Sequence, residues 1–189
     1  MMSRLDGRID FSAHDFHAVV HLPENYEVLD LSAGAAVERF TDSPFSIGRY
    51  DEDRAIYTDS LFSGGRSIHM GVDIGAPAGT PVFAAAEGWL YAQGENPAPG
   101  DYGPTLITRH LLDDVTIWML HGHLSRPSLE IRTPGEPVAR GELIGWVGSV
   151  DENGGWPPHL HFQLSYRRPV GHDLPGVVSA AARPEALMD

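Results

Sequence analysis

Cysteine is absent from the sequence. Its absence excludes disulfides, cysteine-rich structural zinc sites, iron–sulfur clusters and thiol catalysis. Basic side chains are few, since 13 of them stand against 26 acidic ones and the formal net charge is −13. Because such a charge repels polyanions, we do not expect nucleic acid as a partner.

Long apolar segments are also missing. No run of about 18 apolar residues could span a bilayer, and residues 1–20 lack the apolar core and the small-residue cleavage site of a secretory signal. For the chain as written we therefore expect no membrane span and a cytoplasmic location, although a fragment of a longer protein would lack a signal in the same way. What the sequence does contain is 42% hydrophobic residues, enough for a globular core, and ten histidines among 189 residues.

Short apolar runs alternate with glycine and proline turns between about residues 66 and 165. This pattern is typical of an all-β body. We divide the chain into an N-terminal extension at 1–60, a catalytic domain at 61–168 and a C-terminal tail at 169–189. Residues 29–40 fit either a short helix or a pair of strands. The strand candidates are residues 82–84, 89–91, 105–108, 115–120, 143–147 and 159–164.

The last strand candidate carries two histidines, His159 and His161. Alternate side chains of a strand point to opposite faces, so the two histidines share a polar face while Leu160 and Phe162 face a core. At a rise of about 3.3 Å per residue the imidazoles stand about 7 Å apart, and both can approach one catalytic centre. For a His-x-His pattern taken alone, a pair of solvent-exposed histidines is the plainer interpretation.

Two further clusters carry metal-binding chemistry. His69 and Asp73 lie in the run His-Met-Gly-Val-Asp and offer a nitrogen and an oxygen ligand suited to zinc, with Gly71 allowing a tight backbone passage between them. Asp73 could equally cap a turn. The third cluster is the His-Gly-His run at residues 121–123, which taken alone also fits a polar strand end.

Catalytic zinc typically takes three protein ligands and keeps a fourth position for water. His69, Asp73 and one histidine of the 159/161 pair would make such a set. The other histidine of that pair and His123 would then act on the water and the substrate. The sequence lacks HExxH and G-x-S-x-G, which excludes a zincin helix and a nucleophile elbow.

Three spaced motifs over roughly residues 66–165 resemble the lysostaphin-like (LytM-type) zinc metalloendopeptidases of peptidoglycan. They are RSIHMGVDIGAPAGTPVFAAAEGWL at 66–90, PTLITRH with HGHLS at 104–110 and 121–125, and GEPVARGELIGWVGS with PHLHFQL at 135–149 and 158–164. The resemblance implies an all-β fold with a central antiparallel β-sheet, a narrow groove along the face of that sheet, and zinc at the groove floor.

The resemblance also implies a role for five residues. His69, Asp73 and His161 would bind Zn²⁺. His159 matches the histidine assigned as general base. His123 matches the histidine of the family's middle motif, which polarises the scissile carbonyl or stabilises the oxyanion. Both roles suit an imidazole, which can accept and return a proton near neutral pH.

One position departs from the family's pattern. The middle motif usually carries a tyrosine where this chain has His121, which makes His121 a candidate substrate-binding residue. We expect His110 to be structural. The remaining histidines are expected at the surface: His14, His17, His21 and His172. The first three lie in the N-terminal extension and could instead supply a blocking ligand if the extension packs on the groove.

These features predict a zinc-dependent endopeptidase that hydrolyses an amide bond in a peptidoglycan-type cross-bridge or stem peptide. Residues 98–104, 152–161 and 173–177 further resemble a peptidase-like module of cytosolic proteins that join a phosphotransferase-like domain to a class III aminotransferase. The alternative is therefore a cytosolic metal-binding module without peptidase activity, or a hydrolase of a small metabolite. The lysostaphin-like family is usually periplasmic or extracellular, whereas the net charge weighs against docking on an anionic wall. The oligomeric state does not follow from the sequence.

Overall fold

The computed structural model describes residues 9–32 and 44–189. These residues form β-strands and short turns with very little helix, which confirms the predicted all-β class. The strands are β1 Glu27–Val28, β2 Ser46–Gly48, β3 Glu52–Asp53, β4 Arg66–His69, β5 Val72–Gly75, β6 Pro81–Phe83, β7 Gly88–Asn96, β8 Gly103–Leu112, β9 Val115–Gly122, β10 Pro137–Val138, β11 Leu143–Trp146, β12 His159–Ser165 and β13 Val177–Ser179. The helical turns are the 3-10 segments Phe11–Ala13, Ser60–Phe62 and Arg126–Glu130 and the α-helix α1, Arg183–Ala186.

An eight-stranded sheet forms the centre, in the order β1-β2-β5-β12-β9-β8-β7-β10. All neighbouring pairs are antiparallel except β1 with β2. Strand β12 lies between β5 and β9, and its register sets His161 opposite Asp73 on one side and Gly122 on the other. Because side chains alternate along each strand, this register places His161 and Asp73 on one face of the sheet.

The opposite face of the sheet carries the larger hydrophobic core. Leu160 on β12 pairs with Ile74 on β5, and Met119 on β9 comes from the same face. All three side chains are buried. Burying each such side chain stabilises the fold by about 1.5–3 kcal/mol, so a one-residue slip of β12 is strongly disfavoured. The core on this face therefore fixes which residues of β12 reach the groove.

Strand β4, which ends in His69, belongs to a separate three-stranded sheet in the order β13-β4-β3. Glu52 of β3 and Val177 of β13 both pair with His69. The segments at 1–60 and 169–189, which the sequence suggested as an extension and a tail, thus each supply a strand that flanks β4. Part of the ambiguous stretch 29–40 lies outside the described residues, and its described positions include the buried Leu29 and Leu31.

No helix in the described part of the chain is both long and apolar enough to cross a membrane.

Candidate metal centre and catalytic groove

Three side chains from three strands converge at the floor of the groove. The Nε2 atom of His69 lies 3.1 Å from Oδ1 of Asp73, and Nδ1 of His161 lies 3.0 Å from the same oxygen. The two ring nitrogens are 2.9 Å apart. All three residues are buried, and among the described residues they form the group that could hold a metal ion.

Gly71 permits this approach of β4 and β5 to β12. A Cβ atom at that position would lie 2.5 Å from Cε1 and Nε2 of His161. Real side chains do not tolerate such a contact, so any larger residue would displace the His161 ring. The glycine between His69 and Asp73 therefore serves the close passage that the sequence suggested.

The outer hydrogen bonds fix the tautomers of both histidines. His69 donates from Nδ1 to the carbonyl oxygen of Arg49 at 2.9 Å, and His161 donates from Nε2 to Oε1 of Gln163 at 3.1 Å. In a neutral imidazole the other nitrogen then holds a lone pair. Three atoms with available lone pairs thus face one point: Nε2 of His69, Nδ1 of His161 and Oδ1 of Asp73.

This donor set fits zinc. Nitrogen and oxygen ligands at about 2.0–2.1 Å in a tetrahedral arrangement are about 3.3 Å apart, close to the separations of 2.9–3.1 Å found here. Burial lowers the pKa of His69 to about 4, so this ligand is neutral at physiological pH. Burial alone would raise the pKa of Asp73, but His69 and Arg54 beside it hold that pKa well below its ordinary value.

Arg54 is a component of the site that sequence reasoning missed. Its Nη1 donates to Oδ2 of Asp73 at 2.5 Å, and the side chain is buried. It precedes the recognisable motifs and lies in a stretch without clear strand patterning. A buried arginine beside a candidate metal-binding carboxylate has no signature in a single sequence.

His159 and His123 stand beside the three candidate metal ligands, and the centroids of these two rings are 4.2 Å apart. His159 donates from Nδ1 to the carbonyl oxygen of Pro157 at 2.7 Å, and His123 donates from Nδ1 to that of Asn153 at 2.8 Å. In each neutral ring Nε2 is then the acceptor nitrogen, and Nε2 of His159 lies 3.7 Å from Oδ1 of Asp73. Burial lowers the pKa of both rings, that of His123 well below the ordinary value.

The backbone of His123 is held in the left-handed region, with φ of 61°. Such a conformation costs a non-glycine residue about 1–3 kcal/mol and persists only where the surroundings enforce it. Its amide donates to the carbonyl oxygen of Tyr102 at 2.7 Å, and its own carbonyl oxygen accepts from the amide of Gly148 at 2.9 Å. This strain aims the His123 ring into the groove beside His159.

The groove has a volume of about 1000 Å³ and walls from distant parts of the chain. Tyr57 from the N-terminal segment and Trp156 from the loop before β12 form one wall, with ring centroids 6.1 Å apart. Tyr102 and Leu174 also line the groove, joined by a 3.1 Å hydrogen bond from the tyrosine hydroxyl to the Leu174 carbonyl oxygen. The Tyr102 ring also packs against His161 with a centroid separation of 5.0 Å.

His121 does not reach the groove, which corrects its assignment as a substrate-binding residue. It pairs with Phe162 on β12 and Leu106 on β8, and therefore points to the face opposite His161. It is 0% exposed, and neither ring nitrogen makes a well-formed hydrogen bond with any described residue. Burial lowers its pKa to about 3. Position 121 is a core position, and alternation along β9 could have shown this once Gly122 was placed opposite His161.

The other histidines lie away from the three candidate metal ligands. His110 is buried and bonds to the hydroxyl of Thr108 at 2.7 Å, in keeping with a structural role. His14 bonds to Asp113 at 3.1 Å, while His17 and His21 pack on Phe83. These contacts do not place any of the three N-terminal histidines as a blocking ligand.

The part of the chain that carries the candidate site is similar to known peptidases. Residues 67–172 match the sequence profile of peptidase family M23. The chain is 40% identical over 96 residues to the DD-carboxypeptidase/endopeptidase Mpg of Neisseria meningitidis, covering 51% of this chain and 20% of that protein. It is 32% identical over 126 residues to the peptidoglycan DD-endopeptidase ShyA of Vibrio cholerae, covering 64% of this chain and 26% of that protein. The chain thus corresponds to about a quarter or less of these relatives' length.

The fold is also similar to that of a solved M23 catalytic domain. The catalytic domain of the prophage-encoded M23 protein EnpA from Enterococcus faecalis, crystallised as a point variant, superposes with a TM-score of 0.50 at 27% identity. The match covers 72% of this chain and 89% of that domain. The similarity therefore extends over nearly the whole of a separately folded catalytic domain.

Proposed function

The chain belongs to peptidase family M23, and from this premise we propose that it is a zinc-dependent endopeptidase with His69, Asp73 and His161 as its metal ligands. The observation that carries the proposal is the convergence of two imidazole nitrogens and one carboxylate oxygen on one point. The N–H proton of each imidazole is already donated to another group, so the converging nitrogens hold lone pairs. Zinc held there would supply a Lewis acid that polarises a carbonyl group and makes water more acidic. The two outer partners, the Arg49 carbonyl and Gln163, keep both imidazoles in the ligand tautomer.

His159 is the general base in this proposal. Its Nδ1 proton is held by the Pro157 carbonyl oxygen, so Nε2 is the atom that accepts a proton from the attacking water. Because burial lowers the pKa of His159, the ring is in the basic form at neutral pH. Asp73, 3.7 Å from Nε2, favours the imidazolium that forms.

His123 has the same tautomer as His159, and we assign it to orient the attacking water. While its only proton is held at Nδ1 by the Asn153 carbonyl oxygen, Nε2 cannot donate to an oxyanion. An oxyanion role therefore requires a second proton, which burial disfavours. With the two rings 4.2 Å apart, we assign the neutral His123 ring to accept a hydrogen bond from the attacking water, while His159 takes the proton and returns it to the leaving nitrogen.

Peptide cross-links of peptidoglycan are the proposed substrate class. A groove of about 1000 Å³, lined by Tyr57, Tyr102 and Trp156 beside the three candidate metal ligands, is large enough for a peptide. The printed names of Mpg and ShyA describe a DD-carboxypeptidase/endopeptidase and a peptidoglycan DD-endopeptidase. These names support an amide bond of peptidoglycan as the bond cleaved.

The test combines metal content with digestion of purified sacculi. We expect close to one zinc per chain and the release of soluble muropeptides, which a chelator abolishes and added zinc restores. His161→Ala should lose both zinc and activity. His172→Ala replaces a histidine outside the metal-binding group and serves as the matched control, which should retain the zinc. Zinc retained in full by His161→Ala would refute the ligand assignment.

A parallel assay addresses the alternative that the sequence left open. Short model peptides and a pool of cytosolic metabolites are incubated with the zinc-loaded protein. Cleavage of sacculi or of model peptides supports the endopeptidase. Zinc binding without hydrolysis of either, together with turnover of a metabolite, would instead identify a small-metabolite hydrolase and overturn the peptidase proposal.

A further inference from the structure

Arg54 is a charged side chain almost completely removed from water, with 2% of its surface exposed. Burying a guanidinium lowers the stability of the fold unless its N–H groups meet anions or other hydrogen-bond acceptors. Arg54 also lies before residue 67, where the match to the M23 family begins. Its burial therefore needs an explanation from this chain's own contacts.

Four acceptors surround the Arg54 guanidinium. Nε donates to Oε2 of Glu52 at 2.9 Å, and Nη1 donates to Oδ2 of Asp73 at 2.5 Å. Nη1 also lies 3.1 Å from the Tyr57 hydroxyl, and Nη2 donates to the Arg49 carbonyl oxygen at 3.1 Å. The same Arg49 carbonyl accepts the Nδ1 proton of His69. The arginine thus touches one metal-binding residue directly and shares an acceptor with another.

Because of this contact, the two oxygens of the Asp73 carboxylate have different partners. Oδ2 is taken by Arg54, whereas Oδ1 faces His69 at 3.1 Å and His161 at 3.0 Å. A carboxylate without such a partner can rotate or offer both oxygens to a cation. Arg54 leaves a single oxygen for the metal position and fixes the plane of the carboxylate.

The surrounding chain is built around this arginine. Oε1 of Glu52 accepts from the backbone amide of Leu31 at 3.0 Å, so the anion that holds Nε is itself anchored. At Gly48 an added Cβ would lie 2.8 Å from Nη2 of Arg54 and 3.1 Å from Cβ of Asp73. Strand β2 thus passes close to the guanidinium only because residue 48 has no side chain.

We propose that Arg54 is a positioning residue for the metal centre, which holds Asp73 as a ligand through Oδ1 alone. The inference rests on the proposed function, since it concerns the same metal position. A purely structural arginine would stabilise the fold without affecting the affinity for the metal. A positioning arginine sets how Asp73 meets the ion, and its loss changes metal affinity and ligand geometry.

Zinc affinity and a spectroscopic probe separate the two roles. Arg54→Lys keeps the charge but loses the planar fork, and Arg54→Met removes both. In the full chain, zinc affinity is measured by competition with a chromogenic chelator, and the coordination is read from the absorption spectrum of the cobalt(II)-substituted protein. We expect zinc binding about 10–100-fold weaker in both variants, with a changed cobalt spectrum. Arg126, an exposed arginine paired with Glu95 at 2.8 Å, gives the matched control variants Arg126→Lys and Arg126→Met, which should bind as the parent does.

Each outcome decides between the two roles. Arg54 variants that fold and bind zinc with unchanged affinity and an unchanged cobalt spectrum would overturn the proposal. Failure of both variants to fold, judged by circular dichroism, would assign the arginine a structural role and overturn it as well. A parent protein that binds no zinc would instead refute the proposed function, so the two failures are distinguishable.

Discussion

Replacing His121 by phenylalanine should stabilise the protein, and more so in acid. The buried ring lacks well-formed hydrogen bonds within the described residues, so exchanging it for an apolar ring removes a desolvation cost of about 1–2 kcal/mol. Its pKa is about 3 in the folded protein, against about 6.5 in the unfolded chain. Below about pH 6.5 the unfolded chain therefore takes up a proton that the folded protein refuses, and stability is lost as the pH falls.

The size of the acid effect follows from the two pKa values. At about pH 5 the unfolded state gains about 2 kcal/mol from protonation of this one side chain. The free energy of unfolding of His121→Phe should thus exceed that of the parent by about 1–2 kcal/mol at about pH 8 and by about 3–4 kcal/mol at about pH 5. Urea unfolding of both proteins measures the difference. Excess chelator keeps both free of metal, so that the other histidines contribute equally to the free energy of unfolding of the parent and the variant. His21→Phe makes the same exchange at an exposed position. A difference that is the same at both pH values would refute the reasoning.

Three further predictions concern the groove. Gly71→Ala places a Cβ 2.5 Å from the His161 ring, so zinc content measured by atomic absorption should fall well below that of the parent; full retention would contradict the close contact. His159→Gln should slow peptide hydrolysis by about 10²–10⁴-fold while the zinc content is unchanged, and loss of the metal instead would show a ligand role. The acid limb of the pH–rate profile should lie below the ordinary imidazole pKa of about 6.5, because burial lowers the pKa of His159 and of His123. A limb at or above that value would argue against the buried neutral bases.

Much of the site could be predicted because it depends on local spacing. The separation of His69 from Asp73, and the period of two along β12, follow from strand geometry and ligand chemistry. Spacing alone could not distinguish His159 from His161, since both face the same side. In the structure Nδ1 of His161 lies 3.0 Å from Oδ1 of Asp73, while His159 approaches the same oxygen only to 3.7 Å.

The remaining parts of the site depend on contacts between distant segments. Arg54 reaches Asp73 through β3 pairing with β4, and Leu174 meets Tyr102 through the chain's return beside β13. Neither pairing has a periodic signal, because β3 has only two residues and β13 three. The substrate-binding role expected for His121 was wrong for another reason. The family motif has a tyrosine at this position, but alternation along β9 sends the His121 side chain to the core.

The pairing of β4 on both edges has a consequence for synthesis of the chain. One neighbour, β3, precedes β4 closely, whereas β13 is made only after the whole central sheet. During translation His69 would therefore lie on an edge strand until residues 177–179 emerge. A ribosome-bound chain lacking them would present an open backbone edge at the candidate metal centre. A fragment of residues 67–172 would lack both β3 and β13, so both edges of β4 would stay open permanently.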